Sequence, residues 1–151
     1  MSPKSSKKRP KIKGPPPAPT KIPRSHAGPS ENNYPISWHV SLMETVDPFG
    51  WHVIQREKLE EVRTKLASFE NKTWHEIFVQ DNWRNHSIPV SDLCKEAQDR
   101  LKEIKQDDID SLVSLRLAGT ERIWGIRDRH IFKILWWDPD HEICPALKKH
   151  T

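Results

Sequence analysis

Three residues in the C-terminal third of the 151-residue chain, Arg116, Arg122 and His141, have side chains suited to chemistry on a phosphate group. A guanidinium stays charged and can hold two phosphate oxygens at once, and an imidazole titrates near neutrality. His141 also follows the last long predicted strand, so it is the best candidate for an acid or a base.

Further residues are predicted to assist such a site. His86 and His130 are the alternative proton-transfer groups. Arg127 is expected to lie on the opposite side of its strand from Trp124 and to contact nucleic acid. Trp137 is expected to be an exposed platform, because a base stacked on an aromatic ring contributes about 1–3 kcal/mol to binding.

The residue spacing gives little support to metal or covalent chemistry. Asp138, His141, Cys144 and His150 lack the paired ligand spacing of a zinc site. The acidic residues within 107–110 are more typical of a solvated turn than of a Mg²⁺ site. The sequence has neither a glycine-rich phosphate loop nor a G-x-S-x-G motif. We predict no metal and no cofactor.

The apolar pattern predicts the elements that would position these residues. Residues 37–43 alternate between apolar and polar side chains, which indicates a half-buried strand. Residues 55–70 carry apolar side chains at helical spacing. Thr73 and Glu76 have the form of a capping box at the start of a second, short helix. The first half of the domain is therefore a strand followed by helices.

The second half is predicted to be a small sheet. Residues 80–89 read as a polar loop, and a third helix is expected to begin at Ser91 as its N-cap and to end near Lys105. Trp124 and Trp136 are expected in the core, on one face of the sheet with Ile126, Phe132 and Ile134. Three apolar-rich runs and a short fourth one predict an antiparallel meander: 112–118, 122–127, 130–137 and 142–144. Helices on one face of such a sheet make an α+β domain over residues 36–151.

Positive charge is concentrated at the N-terminus. Residues 1–35 hold eight Lys and Arg side chains against one acid, about +7, and nine of the thirteen prolines. Such a segment buries too little apolar surface to fold, so we predict a disordered basic tail in which Lys7, Lys8 and Arg9 contact nucleic acid. The remaining residues hold 17 basic and 20 acidic side chains, about −3. Any phosphate binding by the body must therefore come from a local cluster of arginines.

Residues 110–144 resemble the RelE/ParE-like toxin superfamily of bacterial toxin–antitoxin systems. The order of elements is similar, and so is a Leu-Arg pair on one strand followed by an Arg with apolar and aromatic neighbours on the next. The segments that carry the resemblance are Ser114-Leu115-Arg116-Leu117, Arg122-Ile123-Trp124-Gly125-Ile126, Asp128-Arg129-His130 and the apolar strand 131–137.

The resemblance implies a RelE-like fold and a metal-independent endoribonuclease that acts on mRNA. Such cleavage needs a base for the 2′-hydroxyl proton, a cation for the pentavalent phosphate and an acid for the leaving oxygen. Arg116 and Arg122 match the family's basic positions on adjacent strands, so the resemblance implies that they clamp the phosphate and that His141 transfers the protons. Its implied partners are RNA, including ribosome-bound mRNA, and an antitoxin protein. The alternative is a non-catalytic nucleic-acid- or protein-binding module of a bacterial or mobile-element system, and a gyrase-directed inhibitor would have the same fold. The sequence has no run of 18 apolar residues and no secretory signal, so we expect a cytoplasmic protein without a membrane partner.

Overall fold

A five-stranded sheet forms the centre of the fold. A computed structural model describes residues 29–80 and 84–145. The strands are β1 Ser37–His39, β2 His86–Pro89, β3 Ser111–Arg116, β4 Arg122–Asp128 and β5 Ile131–Asp138. Their order across the sheet is β1-β5-β4-β3-β2. β1 runs parallel to β5, and the other neighbours are antiparallel.

Helical segments connect the first strands. The two α-helices are α1 Arg56–Glu70 and α2 Lys95–Glu103. A π-helix, Glu76–Gln80, follows Thr73, whose hydroxyl oxygen accepts a hydrogen bond from the Glu76 N–H at 3.2 Å. The hydrogen bond by which Thr73 caps this segment is therefore as predicted. The described residues also form short 3-10 helices at Pro29–Asn33, Trp51–Val53 and Val90–Asp92.

The two α-helices cover opposite faces of the sheet. Val62 and Phe69 of α1 belong to one buried cluster, and Ala97 and Leu101 of α2 belong to another. We call the two sides of the sheet the α1 face and the α2 face. Full burial of one such side chain contributes about 1.5–3 kcal/mol, so both layers stabilise the sheet. The expectation that the helices lie on one face is wrong, because both faces of β3 to β5 are apolar and need cover.

The predicted α+β class is confirmed, but the sheet differs from the predicted meander. It is mixed, because β1 joins the edge beside β5, and a crossover through helices permits parallel pairing. β2 lies within the segment predicted as a polar loop. It is a short edge strand in which only Ile88 is half-buried, so it lacks an alternating pattern. Residues 142–144 form no strand, since the N–H groups of Glu142 and Ile143 donate to Asp138 instead.

A bulge in β5 sets which side chains share a face. Gly125 pairs with Ile134 and Trp124 pairs with Trp136, so Leu135 is an extra residue. Such an insertion places two consecutive side chains on one side of the sheet. Leu135 and Trp136 accordingly both lie in the α2-face cluster.

The bulge corrects the predicted core face. Trp124, Trp136 and Ile126 lie together on the α2 face as expected. Phe132 and Ile134 lie in the α1-face cluster. Their predicted place beside Trp124 is wrong, because the extra residue shifts the alternation of β5 between Ile134 and Trp136.

The third predicted helix begins later than expected. α2 starts at Lys95 with Cys94 as its N-cap, so the prediction of Ser91 as N-cap is wrong. Ser91 lies in a 3-10 helix, and Leu93 then adopts an extended backbone with ψ 158°. Only 4% of Leu93 is exposed, so insertion of this side chain into the core delays the helix.

The folded unit begins before residue 36. The 3-10 helix Pro29–Asn33 contacts the sheet through Asn32, whose side-chain oxygen accepts a hydrogen bond from Arg127 at 2.6 Å. The ring of Tyr34 lies 5.6 Å from that of His130. Residues 29–35 are thus part of the domain rather than of the predicted tail.

Candidate functional site

Arg116 and Arg122 lie opposite each other where β3 ends and β4 begins. The connecting turn contains Gly119 at φ +55°, a conformation that glycine adopts at little cost. Its carbonyl oxygen accepts hydrogen bonds from Arg116 Nε at 3.1 Å and from Arg122 Nη1 at 2.8 Å. Two guanidinium groups that share one acceptor must lie side by side. The predicted clamp pair is therefore brought together.

His141 is held in the turn that follows β5. Its φ is +57°, in the left-handed region. The carboxylate of Asp138 accepts hydrogen bonds from the N–H groups of Glu142 at 2.8 Å and Ile143 at 3.1 Å, and from Trp124 Nε1 at 3.1 Å. Asp138 is 2% exposed, so this buried carboxylate fixes the turn that carries His141.

The electrostatic environment of His141 links it to the arginine pair. Burial lowers the pKa of His141 below its ordinary value of 6.5, and the positive charge of Arg122 lowers it further. Asp138 acts in the opposite direction, and Arg116 and His86 add smaller lowering effects. Arg122 pairs in register with Asp138, and His141 follows Asp138 by three residues, so the turn that carries His141 adjoins Arg122. Its imidazole is mostly neutral at pH 7.

The same effects act on Arg122. Burial lowers the pKa of Arg122, the neighbouring charge of Arg116 lowers it further, and Asp138 opposes both. A guanidinium remains charged at neutral pH under such a shift. Arg122 is thus a cation with reduced solvation beside a neutral imidazole.

His86 completes the group of side chains at this corner. It begins β2 and pairs in register with Ser114 of β3. Residues paired across an antiparallel ladder point to the same face, and Ser114 lies two residues before Arg116. His86 is exposed. We define the corner cluster as Arg116, Arg122, His141 and His86.

A hydrogen bond and an ion pair hold the loops of the corner cluster in place. Thr120 Oγ1 donates a hydrogen bond to the carbonyl oxygen of Pro139 at 2.7 Å, which joins the β3–β4 turn to the turn of His141. Lys58 of α1 lies 2.9 Å from Glu121 in an ion pair. The two turns therefore keep a fixed separation.

Arg127 lies away from the corner cluster. It points to the α1 face, opposite Trp124 as predicted, with its guanidinium 4.1 Å from the centre of the Trp74 ring. It donates hydrogen bonds to the Arg129 carbonyl at 2.8 Å and to Asn32. Burial lowers its pKa to about 10, and it is 8% exposed. These contacts make Arg127 a structural cation rather than the expected surface contact for nucleic acid.

His130 is also distant from the arginine pair. It lies in the turn between β4 and β5, at the opposite end of β4 from Arg122. At about 3.3 Å per residue, β4 separates the two by about 20 Å. Of the three candidate histidines, His141 and His86 are brought together and His130 is not.

The tryptophans are core residues. Trp137 is 4% exposed and stacks on Trp51 with ring centres 5.3 Å apart, so it is not the exposed platform expected from the sequence. Trp137 lies on the α1 face, which α1 and Trp51 cover, and the sequence pattern predicted that face to be exposed. Trp124 and Trp136 are buried as predicted. Trp136 Nε1 donates to Glu44 at 3.3 Å.

The predicted contacts of the tail, Lys7, Lys8 and Arg9, lie outside the described residues, as does His150. Within residues 29–80 and 84–145, no group of three or more His, Cys, Asp or Glu side chains is placed to hold a metal ion. No helix in this part of the chain combines the length and apolar character needed to cross a bilayer.

Sequence reasoning missed the residues that support the cluster. In the sequence, Asp138 stands out only as a possible metal ligand, and nothing in the sequence marks Asn85. The side chain of Asn85 is buried and accepts the backbone N–H of Arg116 at 3.1 Å. Positions of this kind have no local pattern, although an Asp-Pro pair directly after a long strand signals a turn.

Comparisons of the chain with family models, curated proteins and solved structures find no match. A functional argument must therefore start from the corner cluster itself.

Proposed function

We propose that the protein is a metal-independent endoribonuclease that acts on mRNA in the manner of RelE-like toxins. The observation that carries this proposal is the convergence of Arg116, Arg122 and His141 at one corner, with His86 on the neighbouring strand. Two cations beside an imidazole that is neutral at pH 7 match the needs of attack by a 2′-hydroxyl group. The resemblance of residues 110–144 to that superfamily also supports it.

In the proposed mechanism Arg116 and Arg122 bind the non-bridging oxygens of the scissile phosphate. Both guanidinium groups donate to the neutral carbonyl of Gly119. A phosphate oxygen is a stronger, charged acceptor and would draw both groups to one centre. The partial burial of Arg122 strengthens the attraction, because charges interact more strongly where water is scarce.

His141 and His86 transfer the protons. Neutral His141 accepts the proton of the 2′-hydroxyl, whose oxygen forms a new bond to phosphorus. The bond from phosphorus to the 5′ oxygen breaks, and His86 donates a proton to that oxygen. The products are a 2′,3′-cyclic phosphate and a free 5′-hydroxyl. No electron acceptor or metal is needed for this step.

Cleavage of a reporter mRNA tests the proposal. The full-length protein is added to the RNA alone with EDTA and, separately, in a bacterial translation extract, and the new ends are mapped by primer extension. We expect cleavage, with a rate that falls about 10²–10⁴-fold in His141→Ala because the base is lost. Arg122→Ala should lower it about 10²–10³-fold, the usual effect of removing one group that stabilises transition-state charge.

His75→Ala is the matched control, because His75 is exposed and lies outside the corner cluster. Its rate should equal that of the wild type. The proposal is refuted if the mRNA stays intact in both settings. A His141→Ala variant that cleaves as fast as the wild type would remove the assigned mechanism.

A further inference from the structure

A second group of positive charges lies on the α1 side of the same corner. It surrounds a pocket of about 70 Å³. Four of the eight residues that line the pocket are basic and none is acidic. They are Lys65, Ser68, Phe69, Lys72, Arg84, Asn85, Arg116 and Leu117.

The end of α1, the start of β2 and the end of β3 bring these charges together. Lys65, Ser68 and Lys72 follow one another at the spacing of a single helix face, at and just beyond the end of α1. Asn85 is 3% exposed and donates to the Ile77 carbonyl at 3.1 Å, while its oxygen accepts the N–H of Arg116. Asn85 therefore holds the start of β2 against the end of β3.

The charge of the pocket is local. The body outside residues 1–35 is about −3, so a pocket in which four of the eight described lining residues are basic does not reflect the average composition. The C-terminus of α1 carries the negative end of the helix dipole and would by itself repel an anion. Attraction of an anion must come from the lysine and arginine side chains, and the Ser68 hydroxyl adds a hydrogen-bond donor.

We infer that this pocket binds a backbone phosphate of single-stranded RNA, adjacent in the chain to the phosphate held by the corner cluster. The inference rests on the proposed function for the identity of its ligand. Arg116 borders both the pocket and the corner cluster, so a strand that crosses the end of β3 contacts both. The pocket would position the strand without reading its sequence, because phosphate contacts fix register and orientation.

The test compares two double variants of the full-length chain. Lys65→Ala/Lys72→Ala removes two charges from the pocket, and Lys95→Ala/Lys102→Ala removes two exposed charges from α2. Binding of a labelled 2′-O-methyl RNA, which cannot be cleaved, is measured by fluorescence anisotropy over a range of salt concentrations. The pocket variant should bind about tenfold more weakly at low salt, and its salt slope should fall by about 0.7 for one lost phosphate contact.

The α2 variant should change affinity by less than about twofold, because neither Lys95 nor Lys102 lines the pocket. The inference would be overturned if both variants lost RNA affinity equally. It would also be overturned if the pocket variant bound RNA as tightly as the wild type. Replacing chloride by inorganic phosphate at constant ionic strength should weaken RNA binding by the wild type more than by the pocket variant, because the free ion competes with the RNA phosphate for the pocket. Equal weakening of both proteins would overturn the inference.

The binding and cleavage assays separate this inference from the proposed function. An intact mRNA together with weaker binding by the pocket variant would refute the nuclease and leave an RNA phosphate site. Cleavage by the wild type together with unchanged binding by the pocket variant would refute the pocket alone.

Discussion

His141 holds its imidazole near Arg122 at a backbone φ of +57°, where residues other than glycine are uncommon. For an L-residue this conformation costs about 1–2 kcal/mol. The hydrogen bonds that Asp138 accepts from Glu142 and Ile143 offset the cost, because they hold the backbone on the C-terminal side of His141. Strain of this kind often accompanies a functional side chain, which agrees with the role proposed for His141.

Because of this backbone strain, we expect His141→Gly to abolish cleavage while leaving the stability of the fold nearly unchanged. Glycine relieves the left-handed strain but makes the unfolded chain more flexible, so the free energy of unfolding should stay within about 1 kcal/mol of the wild type. Cleavage should be lost as in His141→Ala. Urea denaturation and the mRNA assay measure the two properties. His141→Ala keeps the strain, so a glycine variant less stable than the alanine variant would contradict the explanation.

The arginine pair predicts a shifted titration of His141. Burial and Arg122 both lower its pKa below 6.5, so removal of one positive neighbour should raise the pKa toward that value. NMR titration of the imidazole should show the increase in Arg122→Gln. The limb of the pH–rate profile that rises with pH should move to higher pH in the same variant. The control is the same titration of His141 in Arg63→Gln, because Arg63 is on the exposed side of α1. The pKa of His141 should not change there.

The types of the candidate residues could be predicted from the sequence, but their grouping could not. Arg116 and Arg122 were candidates through the resemblance of residues 110–144 to RelE-like toxins, and His141 through its imidazole and its place after the last long strand. Their convergence depends on the Gly119 turn and on Asp138, and both act through backbone atoms that the sequence does not display. The same chemical reasoning also selected Trp137, which is buried.

At the scale of elements, the bulge between β4 and β5 decides the faces of the sheet. Gly125 lies at the register shift, against the Lys133 carbonyl and the Phe132 ring. A Cβ at position 125 would fall closer to both than van der Waals contact allows. Glycine is needed there because the backbone and an aromatic ring approach it closely.

Gly125→Ala should therefore lower the free energy of unfolding by about 1–3 kcal/mol, the usual effect of overpacking. Urea denaturation gives the value. Gly119→Asn is the matched control: a Cβ there meets nothing within 4 Å, and asparagine tolerates the left-handed backbone. Its stability should change little. Equal stability of the Gly125→Ala variant and the wild type would contradict the importance of this close approach.

Elements with a long periodic pattern were predictable, and those set by distant contacts were not. The helix expected over 55–70 is α1 Arg56–Glu70, and the three long strands lie close to their predicted positions. β2 was missed because four residues at a sheet edge bury only part of Ile88. The parallel pairing of β1 depends on which edge the chain reaches after its helices, and no local pattern encodes that choice.

At the scale of the whole molecule, the net charge of +4 conceals a separation of charge. The first 35 residues hold about +7 and the remainder about −3. Within that acidic body, the corner cluster and the pocket at the end of α1 gather basic side chains at one end of β3. RNA binding by the body should therefore depend on these few residues and should weaken steeply with salt.

Residues 29–35 should add to the stability of the folded unit. A chain that begins at Ile36 lacks Asn32, which accepts a hydrogen bond from the buried Arg127, and Glu31, whose charge favours the ionised form of Arg127. An unsatisfied buried donor costs about 1–3 kcal/mol, and more for a charged group. The chain starting at Ile36 should therefore unfold at lower urea than one starting at Pro29. Asn32→Ala in the longer chain should reproduce part of the loss, whereas equal midpoints for the two chains would show that residues 29–35 add nothing to the domain.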